Sequence, residues 1–314
     1  MLEILIDESI VSTKLYKIAF LVIFLVVLLN FGNIISGDFV ADDIFYVVNN
    51  ESIRSLFSYD LFFPKKHLFS SFNNYRPIYN FILAIEYTLF GLDSIPYHIF
   101  NIFLHTLNTF LLYLLTLKYT DNKLLALLTA IIFAVHPIHT EAVSNITGLS
   151  EVLTAFFALF AIWLYSKSNK LDIYYISSLL CYLFAILSKE NGVVALGVII
   201  LLDVCYNWSN FSKLKSKFIY HSGYFLVLFL YLLLRITLRG SIVNNKNLIF
   251  PDSFSSRIYT MSIVLIKYIY LLIFPSKLIA FYDTTIIKIV NQINIEVTMA
   301  LILILGLLIT GFIL

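Results

Sequence analysis

Two adjacent carboxylates, Asp42 and Asp43, could supply a general base. Two like charges held close together raise the pKa of one of them, and an apolar neighbourhood adds to this effect, so one carboxylate could take a proton from a hydroxyl. The alternative is structural, because an Asp pair also caps a helix that begins just after it and stabilises the positive end of the helix dipole. The residue types alone leave both interpretations open.

A second group, His136, His139 and Glu141, places three metal-ligand side chains within six residues. Pro137 breaks helical spacing, so these side chains need not follow the i, i+4 rule. Histidines at a membrane surface often only hydrogen-bond to backbone or lipid headgroups, and the spacing matches no standard zinc pattern. The group therefore predicts either a divalent metal site or a set of substrate-binding side chains.

Lys189 and Glu190 follow an apolar run, where the lysine can either bind a phosphate or pair with its neighbouring glutamate. Glu151 opens another apolar run and joins the candidate set. Guanidinium groups match two phosphate oxygens at once, although a single arginine can equally anchor a lipid headgroup. The candidate arginines are Arg76, Arg235, Arg239 and Arg257.

The composition indicates that a membrane positions these residues. Of 314 residues, 60% are hydrophobic and only 13% are charged, against about 45–50% and 25% in a soluble domain. The net charge of +2 gives no basic field, which excludes nucleic acid as an expected partner. Cys181 and Cys205 both lie in apolar runs, so no disulfide framework or thiolate metal site is predicted.

Apolar runs of helical length predict an all-α, polytopic integral membrane protein with about nine spans, in a single transmembrane domain over residues 1–314. The predicted spans are Leu15–Ile35, Pro96–Leu117, Leu124–Val143, Val152–Tyr165, Ile173–Leu187, Val193–Tyr206, Phe218–Leu238, Ile258–Phe274 and Ile295–Leu314.

Lysines in the short loops predict the orientation. With a cytoplasmic N-terminus, the lysine-rich loops, such as the one around Lys213, Lys215 and Lys217, all fall on the inner side. Residues 36–95 then form a long extracytoplasmic loop. Within it, Ile78–Phe90 is apolar but too short to span, so we expect an amphipathic helix lying in the membrane interface.

On this topology the candidate residues gather at the outer ends of helices. A charge at membrane depth costs at least a few kcal/mol, so charged groups there are usually paired, face a cavity and serve a function. The one-sided distribution therefore predicts one shared site on the extracytoplasmic face, or the lumenal face of the endoplasmic reticulum in a eukaryote.

Taken in order, the motifs resemble the tetratricopeptide-containing transmembrane O-mannosyltransferases and their prokaryotic relatives. The resemblance covers most of the chain and rests on these segments: Phe39-Val40-Ala41-Asp42-Asp43, Tyr75-Arg76-Pro77, His98 to His105, His136 to Val143, Gly148 to Glu151, Leu187 to Glu190, Arg257 to Thr260 and Tyr268 to Pro275. The tetratricopeptide tail typical of that family is absent, and the chain stops at Leu314 within an apparent span, so we expect an end that is truncated relative to the family.

The resemblance implies the GT-C architecture, a polytopic bundle whose cavity takes a sugar from a polyprenyl-phosphate or dolichyl-phosphate carrier. It also implies that the acidic pair of the first outer loop hosts the catalytic base, at Asp42 or Asp43. A sugar on a lipid phosphate already has a good leaving group, so one base and positive charge for the phosphate suffice. Direct displacement of this kind inverts the anomeric carbon.

The leading hypothesis is therefore glycosyl transfer, with mannose as the expected sugar, to a protein hydroxyl or a glycan. Two other functions stay open. A transporter or flippase of lipid-linked sugars would show midplane charges and inverted repeats, whereas the charges here lie at one face. A non-catalytic membrane scaffold would tolerate loss of the acidic pair.

Overall fold

The computed structural model describes residues 10–63, 75–168, 170–208, 211–239, 253–279, 282 and 286–313, and within these ranges all regular structure is helical. The α-helices are α1 (Ile10–Phe31), α2 (Tyr59–Phe62), α3 (Pro77–Phe90), α4 (Ser94–Thr120), α5 (Lys123–Val135), α6 (Thr140–Ser144), α7 (Leu149–Lys167), α8 (Ile173–Ser188), α9 (Val194–Asn207), α10 (Phe211–Arg239), α11 (Phe254–Ile273) and α12 (Ile295–Ile313).

Two compact units make up the chain, the first over Met1–Ile242 and the second over Val243–Leu314. The first contains α1 to α10. In the second, α11 packs against α12, and the Thr260 hydroxyl oxygen accepts a hydrogen bond from the Val290 N–H at 3.1 Å. The expectation of a single domain stays a prediction.

Eight of the nine predicted spans coincide with one helix each, whereas Leu124–Val143 covers α5, the 3₁₀ turn Pro137–His139 and most of α6. Not every one of these helices can cross a membrane by length and composition. Six can do so in the described part of the chain, and a seventh span results if α5 and the segment Pro137–Ser144 are counted together across their 47° bend. The helix α8 and the apolar part of α12, Ile295–Leu307, are shorter. An all-helical membrane protein is thus supported, while the count of nine spans is not confirmed.

Small residues and buried amides hold the first unit together. Ala126, Ala130 and Ala134 recur at a spacing of four on α5 and are all fully buried, which lets α5 approach α4 and α1 closely. On α4, Asn101 and Asn108 each donate a side-chain N–H to a backbone carbonyl of the segment that runs from α6 into α7. These contacts fix the helices that surround the candidate site.

The predicted helix of the first long loop exists as α3, which begins at Pro77 in the favoured first-turn position and ends at Gly91 with φ +63°. It buries one face against α8 and against the 3₁₀ turn Glu51–Arg54. The same loop contains a π turn over Ile44–Val48. Its placement in the membrane interface stays a prediction.

Candidate active site

A cavity of about 590 Å³ lies in the first unit where α4, α5 and α7 meet the first long loop. Its volume falls in the range of small-molecule sites, about 300–1,000 Å³. Six of the ten predicted site residues line it: Asp42, Arg76, His139, Glu141, Glu151 and Lys189. Residues distant in sequence therefore line one cavity, in keeping with their predicted position at the outer ends of helices.

The two adjacent aspartates occupy different environments. Asp43 is fully buried, and its carboxylate accepts hydrogen bonds from the backbone N–H of Thr147 at 2.9 Å and of Val40 at 3.1 Å. Asp42 is exposed and borders the cavity. Asp43 thus ties the first loop to the 3₁₀ turn Ile146–Gly148, whereas the Asp42 carboxylate is accessible to a bound molecule.

Burial dominates the electrostatics of Asp43 and raises the pKa of its carboxyl. The N–H donors of Val40 and Thr147 and the nearby His98 ring oppose this effect without cancelling it. A carboxyl so enclosed has no path to a proton on a ligand in the cavity. Asp43 precedes the π turn Ile44–Val48, but its side chain makes no capping hydrogen bond to that turn. The carboxylate therefore joins two loop segments instead of capping the helix that follows it.

Two ion pairs lie beside the cavity, and neither joins neighbours in sequence. Arg76 contacts Glu190 through two nitrogen atoms, each 3.4 Å from a carboxylate oxygen. Lys189 pairs with Glu151 rather than with Glu190. Arg76 and Lys189 both line the cavity, while Glu190 does not.

The carboxylates at the cavity influence one another. Glu141 interacts electrostatically with Glu151, Lys189 and Asp42. Three acidic groups from different segments of the chain, Asp42, Glu141 and Glu151, therefore line the same cavity as Lys189. An anionic ligand at Lys189 would compete with Glu151 for the ammonium group.

Two glycines allow the turns that carry the charged residues. A Cβ on Gly148 would lie 2.3 Å from the Ala142 carbonyl oxygen, and one on Gly192 would lie 2.5 Å from the Ala185 carbonyl carbon. Both turns therefore fold back onto the preceding helix at a distance that only glycine permits. This close packing places Glu151 and Lys189 at the start and the end of adjacent helical segments.

The members of the predicted group His136, His139 and Glu141 also occupy different environments. His139 lines the cavity, but His136 does not, and its Nδ1 accepts the backbone N–H of Ile138 at 3.2 Å. Within the described residues, no set of three or more His, Cys, Asp or Glu side chains is arranged to hold a metal ion. The set His136, His139 and Glu141 does not fit a shared metal in this arrangement, and metal dependence stays a prediction.

The predicted arginines have separate locations. Arg235, on α10, contacts the Tyr231 hydroxyl at 3.1 Å and interacts electrostatically with Glu190. Arg257 lies on α11 in the second unit. The Arg239 side chain lies outside the described residues. Of the three candidates whose side chains are described, Arg76 is the one that lines the cavity.

Sequence reasoning missed one wall of the cavity, to which His105, Asn108 and Phe133 contribute. His105 and Asn108 are almost completely buried on α4. A signal was present, because the polar residues His98, Asn101, His105 and Asn108 recur at spacings of three and four, which places them on one helix face.

Comparison with known proteins agrees with the motifs. The chain is 34% identical to "Protein O-mannosyl-transferase F38B6.6" of Caenorhabditis elegans over 178 residues, which cover 54% of this chain and 25% of that protein. It is 32% identical to "Protein O-mannosyl-transferase TMTC1" of Homo sapiens over 207 residues, or 60% of this chain and 23% of that protein. For "Protein O-mannosyl-transferase TMTC4" of Homo sapiens the identity is 30% over 213 residues, or 59% and 29%.

The chain spans about a quarter of the length of these curated relatives. It matches no protein-family model. No solved structure matches it significantly. The resemblance to O-mannosyltransferases is therefore confirmed as sequence similarity over more than half of the chain, whereas the wider link to GT-C enzymes and prokaryotic relatives stays a prediction.

Proposed function

We propose that this chain is the membrane part of a glycosyltransferase that moves mannose from a polyprenyl-phosphate or dolichyl-phosphate carrier to a protein hydroxyl or a glycan. The similar proteins named protein O-mannosyl-transferase support the reaction class. The observation that carries the proposal is the meeting of an exposed carboxylate, Asp42, with Lys189 and Arg76 at one cavity of about 590 Å³.

In the proposed reaction, Asp42 takes the proton of the acceptor hydroxyl while the hydroxyl oxygen attacks the anomeric carbon. The new C–O bond forms as the bond between that carbon and the phosphate oxygen breaks, and the lipid phosphate leaves with the electron pair. Attack opposite to the leaving group inverts the anomeric configuration. A positioned base of this kind contributes about 10²–10⁴-fold to a rate.

The leaving phosphate requires positive charge, which Lys189 and Arg76 supply. Their present partners, Glu151 and Glu190, keep both cations from standing alone in a site of low dielectric constant. Binding of a phosphate would draw Lys189 from Glu151 to the ligand. A divalent cation could share this task, and no step of the proposal depends on it.

The proposed active face is extracytoplasmic, or lumenal in the endoplasmic reticulum. The distribution of lysines in the short loops supports this orientation. The cavity borders the first long loop, which lies on the side opposite to the lysine-rich loops in that arrangement.

The experiment compares Asp42→Asn with Asp43→Asn in the full chain, expressed in membranes that contain radiolabelled mannosyl-phosphoryl dolichol. We expect Asp42→Asn to lower mannose transfer about 10²–10⁴-fold without a change in thermal unfolding, because it removes the base alone. Asp43→Asn sets an amide N–H₂ against a backbone N–H and should lower the unfolding temperature, with transfer per folded molecule reduced far less. Equal transfer by the wild-type chain and Asp42→Asn would contradict the assignment.

A further inference from the structure

Asn108 carries a buried oxygen that has no hydrogen-bond partner among the residues that the structure describes. The residue is 1% exposed, and its Nδ2 donates a hydrogen bond to the Val152 carbonyl at 2.8 Å. The Oδ1 atom of the same amide is buried and accepts no hydrogen bond from the described chain, although Asn108 lines the cavity. An unsatisfied buried acceptor costs about 1–3 kcal/mol, so its retention calls for an explanation.

Asn101 shows what this amide would look like in a purely structural role. It lies two helical turns earlier on α4, is equally buried, and donates its Nδ2 to the Asn145 carbonyl at 2.9 Å. It does not line the cavity, and its Oδ1 is not among the unpartnered buried atoms of the described chain. Bridging two segments therefore does not require the unpaired oxygen found at Asn108.

Aromatic rings adjoin Asn108 in the same wall. The His105 ring stacks on Phe133, with centroids 5.4 Å apart and planes 25° apart, and the His139 ring lies 4.3 Å from Phe133. His105 Nε2 lies 3.3 Å from the Ala134 carbonyl oxygen, which fixes one ring nitrogen. We call His105, Asn108, Phe133 and His139 the aromatic wall.

We propose that the aromatic wall binds the sugar ring of the donor, with Asn108 Oδ1 accepting a hydrogen bond from a sugar hydroxyl. This inference rests on the proposed function. Ring faces offer an apolar surface to the C–H groups of a hexose, and an amide oxygen with imidazole nitrogens matches its hydroxyl groups.

The chemistry distinguishes a sugar from the other parts of the substrate. An unpaired acceptor needs a donor on the ligand, which a hydroxyl has and an ionised phosphate lacks. The cavity-lining cations, Arg76 and Lys189, belong to other segments and not to the aromatic wall. The phosphate therefore has its partners elsewhere in the cavity.

The test measures how much the sugar adds to binding. The full chain in lipid nanodiscs is titrated with mannosyl-phosphoryl citronellol and with citronellyl phosphate, and the ratio of the two dissociation constants gives the contribution of the sugar. We expect Asn108→Ala to reduce this ratio about tenfold, the value of one hydrogen bond, while the affinity for citronellyl phosphate is unchanged. Asn101→Ala is the matched control and should leave the ratio at its wild-type value.

An unchanged ratio in Asn108→Ala, or equal losses in both variants, would overturn the proposal. If Asn108→Ala fails to fold, monodeoxy mannosyl donors titrated against the wild-type chain decide instead. At least one should bind about tenfold more weakly than the parent donor, and equal binding of the whole series overturns the proposal.

Transfer, assayed separately, distinguishes this inference from the function on which it rests. If the wild-type chain transfers mannose and the two asparagine variants have equal ratios, only the sugar-binding role of the aromatic wall is rejected. If Asn108→Ala alone lowers the ratio, and the wild-type chain binds the donor but transfers no mannose, the sugar-binding site is supported and the glycosyltransferase function is rejected.

Discussion

Acidic side chains occur towards both ends of the first unit, in two different settings. At the cavity, Asp42, Glu141 and Glu151 come from separate segments and border open space. Tyr165 follows Glu151 on α7 by fourteen residues, or about 21 Å at the usual helical rise, and there Asp203 of α9 is enclosed by partners. Its carboxylate accepts the Tyr165 hydroxyl, lies 2.8 Å from His221 Nε2 and 3.8 Å from Lys217 Nζ.

The difference separates two uses of charge in a membrane protein. Around Asp203 the side chains satisfy one another and join α7, α9 and α10, so the cluster stabilises the bundle. At the cavity the acids outnumber the lysine and arginine that line the same space, and Asp42 stays accessible. An enclosed cluster should therefore govern folding, and an open cluster should govern binding and transfer.

The largest effect is expected from removal of the enclosed acid, which tests whether the Asp203 cluster stabilises the fold. Asp203→Ala leaves His221, Tyr165 and Lys217 without their shared partner, and the loss of one member of a buried ion pair costs about 3–5 kcal/mol. We expect a large fall in the unfolding temperature of the detergent-solubilised chain. Asp203→Asn, which keeps one acceptor oxygen, should lose less. A wild-type unfolding temperature in Asp203→Ala would show that the cluster does not hold the helices together.

At the cavity, the corresponding change is Lys189→Ala. If the lysine binds the donor phosphate, its loss should weaken donor binding about 10- to 100-fold, the value of one or two charge-assisted hydrogen bonds, and should raise KM more than it lowers kcat. Lys189→Arg should restore most of the affinity. Lys167→Ala is the control, because that lysine ends α7 beside Trp163, away from the cavity. Equal donor affinity in Lys189→Ala and Lys167→Ala would show that Lys189 does not bind the donor phosphate.

A carboxyl that belongs to neither cluster adds a third case, in which the expected effect depends on pH. Glu86 on α3 is buried, and both of its carboxylate oxygens lack a hydrogen-bond partner in the described chain. Burial raises the pKa of Glu86 to about 9, against about 4.3 in an unfolded chain. Between these values the unfolded state loses the proton and the folded state keeps it, so stability falls as pH rises.

Glu86→Gln removes this dependence, because the amide is neutral in both states. We expect the stability advantage of the variant over the wild-type chain to grow between pH 5 and pH 8 by up to about 4 kcal/mol, since each pH unit in this range contributes about 1.4 kcal/mol. Glu51→Gln, at an exposed position of the same loop, should show no such trend. Thermal unfolding across this pH range gives the measurement, and parallel curves for Glu86→Gln and the wild-type chain would refute the prediction.

Hydropathy was sufficient to find the helices, since apolar length and helical period are local properties of the sequence. It also indicated that residues such as Asp42, Glu151 and Lys189 lie near one another, because each lies close to an end of an apolar segment, and these three line one cavity. The number of spans did not follow from it, because a helix as short as α8 can satisfy the pattern without the length to cross.

Pairing at the cavity could not be predicted, for reasons of backbone geometry. Lys189 has an extended backbone, with φ −158° and ψ 146°, and successive side chains of an extended chain point in opposite directions. Lys189 and Glu190 therefore meet partners on different segments instead of each other. Asp42 and Asp43 have a helical backbone instead, and adjacent side chains of a helix point about 100° apart around its axis. One of them therefore borders the cavity while the other is buried against the Ile146–Gly148 turn.

The order of the cavity residues along the chain bears on biosynthesis. All described residues that line the cavity lie between Asp42 and Lys189, so α9 and the helices that follow contribute no wall to it in the described chain. A ribosome adds about 5–20 residues per second, and earlier segments fold first. The pocket can therefore close around its polar groups while α10 is still being translated, which shields those groups from lipid before insertion of the chain is complete.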